Sequence, residues 1–111
     1  MNLKAIVDAL DLRVAAGSER LDMEVTGGYT SDLLSCAMAG AAKGNVWVTL
    51  QGHLNVVAVA SLNELAAVII TEGKPVAAET ANKAEEEGVA LLQTPLASYQ
   101  VIGRLWDLGV K

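Results

Sequence analysis

The chain has 111 residues, 52% of them hydrophobic, with 4% aromatic and no phenylalanine. That length holds one core, so a single domain over residues 1–111 is expected, built mainly from Ala, Val, Leu and Ile. Thirteen acidic against eight basic residues give a formal net charge of −5, and the basic residues are scattered from Lys4 to Lys111. The clustered basic footprint that nucleic acid requires is therefore missing, as is a polybasic amphipathic helix for anionic lipid.

The first twelve residues carry Asp8 and Asp11 and lack the long apolar region of a signal peptide. No apolar run approaches the roughly 18 residues that span a bilayer. The single cysteine, Cys36, has no intrachain partner, so a reducing, cytoplasmic compartment is expected. Its apolar neighbours Leu33, Leu34, Ala37 and Met38 predict a buried structural thiol. A domain of this size buries only about two-thirds of the surface its unfolded chain exposes, so this apolar content leaves hydrophobic surface for a second chain. A homodimer is the expected assembly, and packing against another protein domain is the alternative.

In chain order, Asn2 can cap a helix through Leu10, with Leu3, Ile6, Val7 and Leu10 on one face. Leu12–Ala16 reads as a short strand ended by Gly17-Ser18. The alternation of Leu21-Asp22-Met23-Glu24-Val25 predicts a half-exposed strand running into a turn at Thr26-Gly27-Gly28. Thr30 or Ser31 then supplies an N-cap, Asp32 lies in the first helical turn, and Leu33, Leu34, Ala37, Met38 and Ala41 form an apolar stripe that stops at Lys43-Gly44-Asn45.

Val46–Leu50 is the clearest strand. Leu54–Ala60 is compatible with helix or strand by periodicity. A helix is preferred because it supplies the crossover to a parallel strand at Ala66–Thr71. Ser61-x-x-Glu64 resembles a capping box and argues instead for a helix starting at Ser61, but the β-branched run Val68-Ile69-Ile70-Thr71 favours the strand. Glu79–Glu87 follows as a helix closed by Gly88, then a strand at Val89–Gln93 and a helix from Ser98 to Leu108 closed by Gly109. Val101, Ile102, Leu105 and Leu108 are its expected buried face. The whole is an α/β layered fold with a mainly parallel sheet flanked by helices.

Few residues suggest chemistry. The glycine turn at Thr26-Gly27-Gly28 precedes a helix N-terminus, where backbone N–H groups can hold an anion, but a tight turn alone accounts for it. No P-loop occurs, which excludes nucleotide hydrolysis through a Walker motif. His53, the only histidine, follows a strand end where open α/β sheets place ligands, although capping or hydrogen bonding explains it more simply. One His, one Cys and scattered carboxylates lack metal-ligand spacing, and no nucleophile elbow is present. Glu85, Glu86 and Glu87 point in different directions on a helix and read as a solvated face. Trp47 and Trp106 are expected in the core or at an interface, and Tyr29 and Tyr99 at an edge.

Val25-Thr26-Gly27-Gly28-Tyr29-Thr30-Ser31-Asp32-Leu33-Leu34, Trp47–Asn55 and Leu91–Pro95 together resemble a DRTGG domain over roughly residues 21 to 108. Thr26-Gly27-Gly28 keeps the family pattern, whereas Glu24-Val25 stands where the family has Asp-Arg. The family is an accessory α/β domain similar to the region preceding the kinase core of HPr kinase/phosphorylases, and it also occurs in some phosphotransacetylases and between CBS domains of regulatory pyrophosphatases. Ile69–Gly73 and Ala84–Pro95 are the parts most like the HPr kinase segment. The resemblance implies association or sensing and no kinase activity, because the kinase P-loop lies in another domain.

The family residues that carry over are Thr26, Gly27, Gly28, His53 and Asn55, as candidates for a pocket or contact surface. The expectation is thus a non-catalytic regulatory module acting through homodimerisation or protein contacts, without cofactor or metal. The alternative is a sensor of a small ligand, a nucleotide or phosphorylated metabolite, bound near the Thr26–Gly28 turn and His53–Asn55.

Overall fold

The computed structural model describes residues 1–111, in which strands and helices alternate along the chain. The elements are α1 (Leu3–Leu10), β1 (Arg13–Ala16), β2 (Gly27–Thr30), α2 (Leu34–Gly40), β3 (Asn45–Thr49), α3 (Leu54–Leu62), β4 (Ala67–Ile70), α4 (Ala78–Glu87), β5 (Leu91–Gln93) and α5 (Ser98–Asp107). The strands form one sheet in the order β1-β5-β4-β3-β2, in which β2 to β5 are parallel and β1 pairs antiparallel with β5. This is the expected α/β architecture with a mainly parallel sheet between helices.

The central strands are apolar on both faces because both are covered. Val46, Val48, Ala67, Ile69 and Leu92 share one core with residues of α1 and α5, while Trp47, Val68, Ile70 and Leu91 share the other with residues of α2, α3 and α4. Adjacent residues of a strand thus enter opposite cores, as the period-two geometry of a strand requires.

Local chemistry starts and stops most helices. The Asn2 side chain accepts from the Ala5 N–H at 3.0 Å and opens α1, whose Leu3, Ile6, Val7 and Leu10 are all buried. Gly88 closes α4 in the left-handed conformation, and Gly109 follows α5 with φ +93°. Gly17 ends β1 at φ +77°, where a Cβ would meet the Val89 carbonyl oxygen at 2.5 Å, so no larger residue fits. The ambiguous stretch after β3 is helix α3. Val56, Val57, Val59 and Ala60 are buried, and Ser61 lies inside its last turn rather than at a new start.

Several expectations fail between residues 21 and 45. Leu21–Val25 forms no strand, and only Glu24 makes an isolated bridge with Asn2. Its alternation serves another end, for Leu21 and Val25 pack on the α1/α5 core. Its backbone carbonyls meanwhile accept from orphan N–H groups of α1, Leu3 N to Met23 O at 2.9 Å and Lys4 N to Leu21 O at 2.7 Å.

Thr26-Gly27-Gly28 is not a turn, because Gly27 and Gly28 begin edge strand β2, paired with Asn45 and Val46 of β3, and neither has positive φ. Thr30 belongs to β2 and donates its hydroxyl to the Val48 carbonyl, so α2 starts later, at Leu34. It also stops earlier, at Gly40. There the Asn63 side-chain amide donates to the carbonyls of Ala37, Met38 and Ala41 at 3.3, 2.9 and 3.0 Å. Cys36, expected inside, is exposed on α2. In α5, Val101 and Leu105 are buried as expected, Leu108 is half-buried, and Ile102 sits at the rim.

Candidate functional site

The residues singled out from the sequence divide between the two ends of the sheet. Thr26, Gly27 and Gly28 lie where the parallel strands begin, with Gly27 opposite Asn45, the first residue of β3. His53 and Asn55 follow the last residue of β3, Thr49. Five strand residues span about 15 Å, so these groups do not share one pocket. The expected neighbourhood of turn and histidine is not formed.

Thr26 and His53 have structural employment, whereas the Asn55 side chain is exposed. The Thr26 hydroxyl donates to the Lys43 carbonyl at 2.7 Å and lies 3.3 Å from the Asn45 side-chain amide, tying the entry of β2 to the turn before β3. His53 caps α3, its Nδ1 accepting the Asn55 N–H at 3.1 Å. Gly27 is tight rather than flexible: a Cβ there would come within 3.2 Å of the Asn45 amide and 3.3 Å of the Lys111 carbonyl.

The most connected polar residue at the carboxyl end of the sheet is one that sequence reasoning assigned to a helix dipole. Asp32 precedes α2, and its Oδ1 accepts from the buried Thr49 hydroxyl and from the Leu50 N–H, both at 2.8 Å. Its backbone carbonyl takes the Gln51 amide, while the neighbouring Ser31 carbonyl takes the Trp47 indole N–H at 2.9 Å. This cluster locks the β2–α2 connection onto β3. No group of three or more His, Cys, Asp or Glu is placed to hold a metal ion.

Two concavities stand out from the rest of the surface. A groove of about 130 Å³ runs between β2 and α5, lined by Gly28, Tyr29, Thr30 and Val48 from the sheet and by Ile102, Leu105, Trp106, Val110 and Lys111 from the C-terminal segment. It arises because Gly28 and Thr30 face the α1/α5 side yet remain exposed. Trp106 forms its lip and is 58% exposed, with the Lys111 ammonium 5.2 Å from its ring centroid. Of the predicted site residues only Gly28 belongs to this groove. The signal that could have found it was the second apolar spacing on α5, Tyr99, Ile102 and Trp106, beside the buried one.

The larger concavity, about 480 Å³, opens at the amino ends of the parallel strands and contains Thr26 together with Arg20, Lys43, Glu24, Glu64 and Glu87. Lys43 and Glu64 pair across it at 3.0 Å.

No protein-family model matches the sequence, and no curated protein matches it. Among solved structures, the chain is similar to the CBS and DRTGG domains of the regulatory region of Clostridium perfringens pyrophosphatase, solved in complex with the activator diadenosine tetraphosphate. The superposition has a TM-score of 0.76 at 15% sequence identity and covers 94% of this chain. The two share a fold. The chain spans 45% of the length of that pyrophosphatase region. The resemblance read from the sequence is to a type of domain that this region contains. No helix of the chain is long and apolar enough to cross a membrane.

Proposed function

We propose that this chain is a DRTGG-type, non-catalytic regulatory module that works through protein contacts, first of all with its own copy. The observation that carries the reading is the uncovered strip of sheet beside α5: Gly28 and Thr30 are exposed on a face whose other strands are roofed, and Ile102 and Trp106 wall the resulting groove. Exposed apolar surface of this kind, rimmed by polar residues, marks association sites. The shared fold with the pyrophosphatase regulatory region supports a regulatory role. The Thr26 hydroxyl, the Asp32 carboxylate and the His53 Nδ1 are engaged in strand docking and capping, which supports a structural rather than a catalytic use of these residues.

The test is a concentration series by sedimentation velocity, read alongside tryptophan emission. Trp47 is fully buried and reports a constant background, so a blue shift on concentration reports Trp106. Association in the micromolar range with such a shift is the expected result. A monomer throughout that range overturns the reading.

A second reading, a sensor of a small ligand, draws support from the cleft of about 480 Å³ at the amino ends of the strands, where Arg20 and Lys43 stand near Thr26 among the carboxylates of Glu24, Glu64 and Glu87. That volume is in the range of small-molecule sites. Diadenosine tetraphosphate, the activator in the similar pyrophosphatase structure, and ATP are the probes for a thermal-shift titration. Saturation at a hundred times Kd raises stability by about 2.7 kcal/mol, and no shift with either compound removes this reading.

A further inference from the structure

Helix α5 carries two apolar stripes. One, Val101 and Leu105, is buried against the sheet. The other, Tyr99, Ile102, Gly103 and Trp106, faces outward, with Tyr99 89%, Ile102 37% and Trp106 58% exposed. Gly103 has no explanation within the chain. It lies inside a helix, where glycine is destabilising relative to alanine, and a Cβ built on it would meet nothing within 4 Å. A helical glycine surrounded by open space and flanked by large apolar side chains suits the close approach of another backbone.

We infer that two copies of this chain pair about a two-fold axis through antiparallel α5 helices crossing at Ile102 and Gly103. This rests on the association reading above and names its surface and its partner. The outward stripe is symmetric in spacing about the point between positions 102 and 103, with a large side chain at each end and a medium one beside none at the centre, so a two-fold there seats Ile102 in the notch over the partner's Gly103. It also sets Tyr99 against the partner's Trp106, at the lip of the β2/α5 groove. An isologous contact needs this self-complementarity, which a heterologous partner does not.

Charge and area point to the same occupant. Within α1 and α5, the helices of this face, Lys4 offsets Asp8 and Arg104 offsets Asp107, whereas α4 on the opposite face holds Glu79, Glu85, Glu86 and Glu87 against Lys83 alone. Joining through α5 brings two neutral layers together and keeps the acidic faces of two chains, each with a net charge of −5, on the outside. Tyr99, Ile102 and Trp106 expose on the order of 400 Å², about half of the ~800 Å² per partner in a standard interface, and the groove and helix flanks adjoin them.

The experiment measures the dimer Kd of the full chain by sedimentation equilibrium for wild type, Gly103→Leu and Met38→Ser. Leucine at 103 fills the notch yet is a better helix former than glycine, so the monomer folds at least as well. Circular dichroism melting checks this directly. The expected result is a Kd raised at least about tenfold by Gly103→Leu and unchanged by Met38→Ser, which alters the exposed apolar side chain of α2. A wild-type dimer that Gly103→Leu leaves intact, or that Met38→Ser disrupts instead, overturns the α5 pairing while the association reading stands. A monomeric wild type overturns both.

Discussion

Asp32 is exposed as a residue, yet its Oδ1 is the acceptor for the hydroxyl of fully buried Thr49 and for the Leu50 N–H. Removing it strands a buried donor, which costs about 1–3 kcal/mol. Asp32→Ala is therefore expected to lower the urea midpoint accordingly, while Asp32→Asn, which retains an Oδ1 acceptor, loses less. His53 is a cap by the same kind of argument. His53→Ala is expected to cost about 1 kcal/mol, and His53→Asp, which can also accept the Asn55 N–H, to restore most of it. Equal losses in the alanine and aspartate variants would show that the imidazole does something besides capping.

At the scale of elements, α4 has few buried side chains: Thr80 and Ala84 alone are fully covered. The Thr80 hydroxyl is buried without any partner, a desolvation penalty with no compensating bond. Thr80→Val keeps the branched shape and removes the penalty, so its melting temperature is expected to equal or exceed wild type, by up to about 1 kcal/mol in stability. A clear loss would reveal a partner for that hydroxyl.

The elements also show which patterns the sequence makes legible. α1, α4 and α5 announce themselves through side-chain or glycine caps and a stripe of helical period, and β3 and β4 through short apolar β-branched runs. β2 does not. Gly27 and Gly28 have poor strand propensity, and their conformation comes from pairing with Asn45 and Val46, a partner strand distant along the chain. Leu21–Val25 errs in the opposite sense: its alternation is that of a strand, but no strand lies beside it to accept a ladder.

For the whole molecule, the distribution of charge governs association. Because helices α1 and α5 are formally balanced and most of the excess acid lies on α4, salt screens a long-range repulsion between copies without weakening any cross-interface ion pair. Raising ionic strength from low to physiological values is expected to tighten the dimer or leave its Kd unchanged. A dimer that weakens with salt would mean that ion pairs hold it, and the apolar stripe would not be its main contact.

The sequence alone determined the layered α/β class and most element types, because caps, glycine stops and apolar periods act over a few residues. It also carries a resemblance to DRTGG domains in Thr26-Gly27-Gly28 and the segments after it, and the structure shares a fold with a region that contains such a domain. Only the tertiary structure decided that Thr26–Gly28 and His53–Asn55 stand at opposite ends of the sheet, because strand direction and register depend on contacts far apart in the chain. For α5 the spacing already marks Val101 and Leu105 as core; what the tertiary structure adds is that Ile102 turns out of it and that a second stripe, Tyr99, Ile102 and Trp106 around Gly103, is left without cover, because the sheet ends at β2.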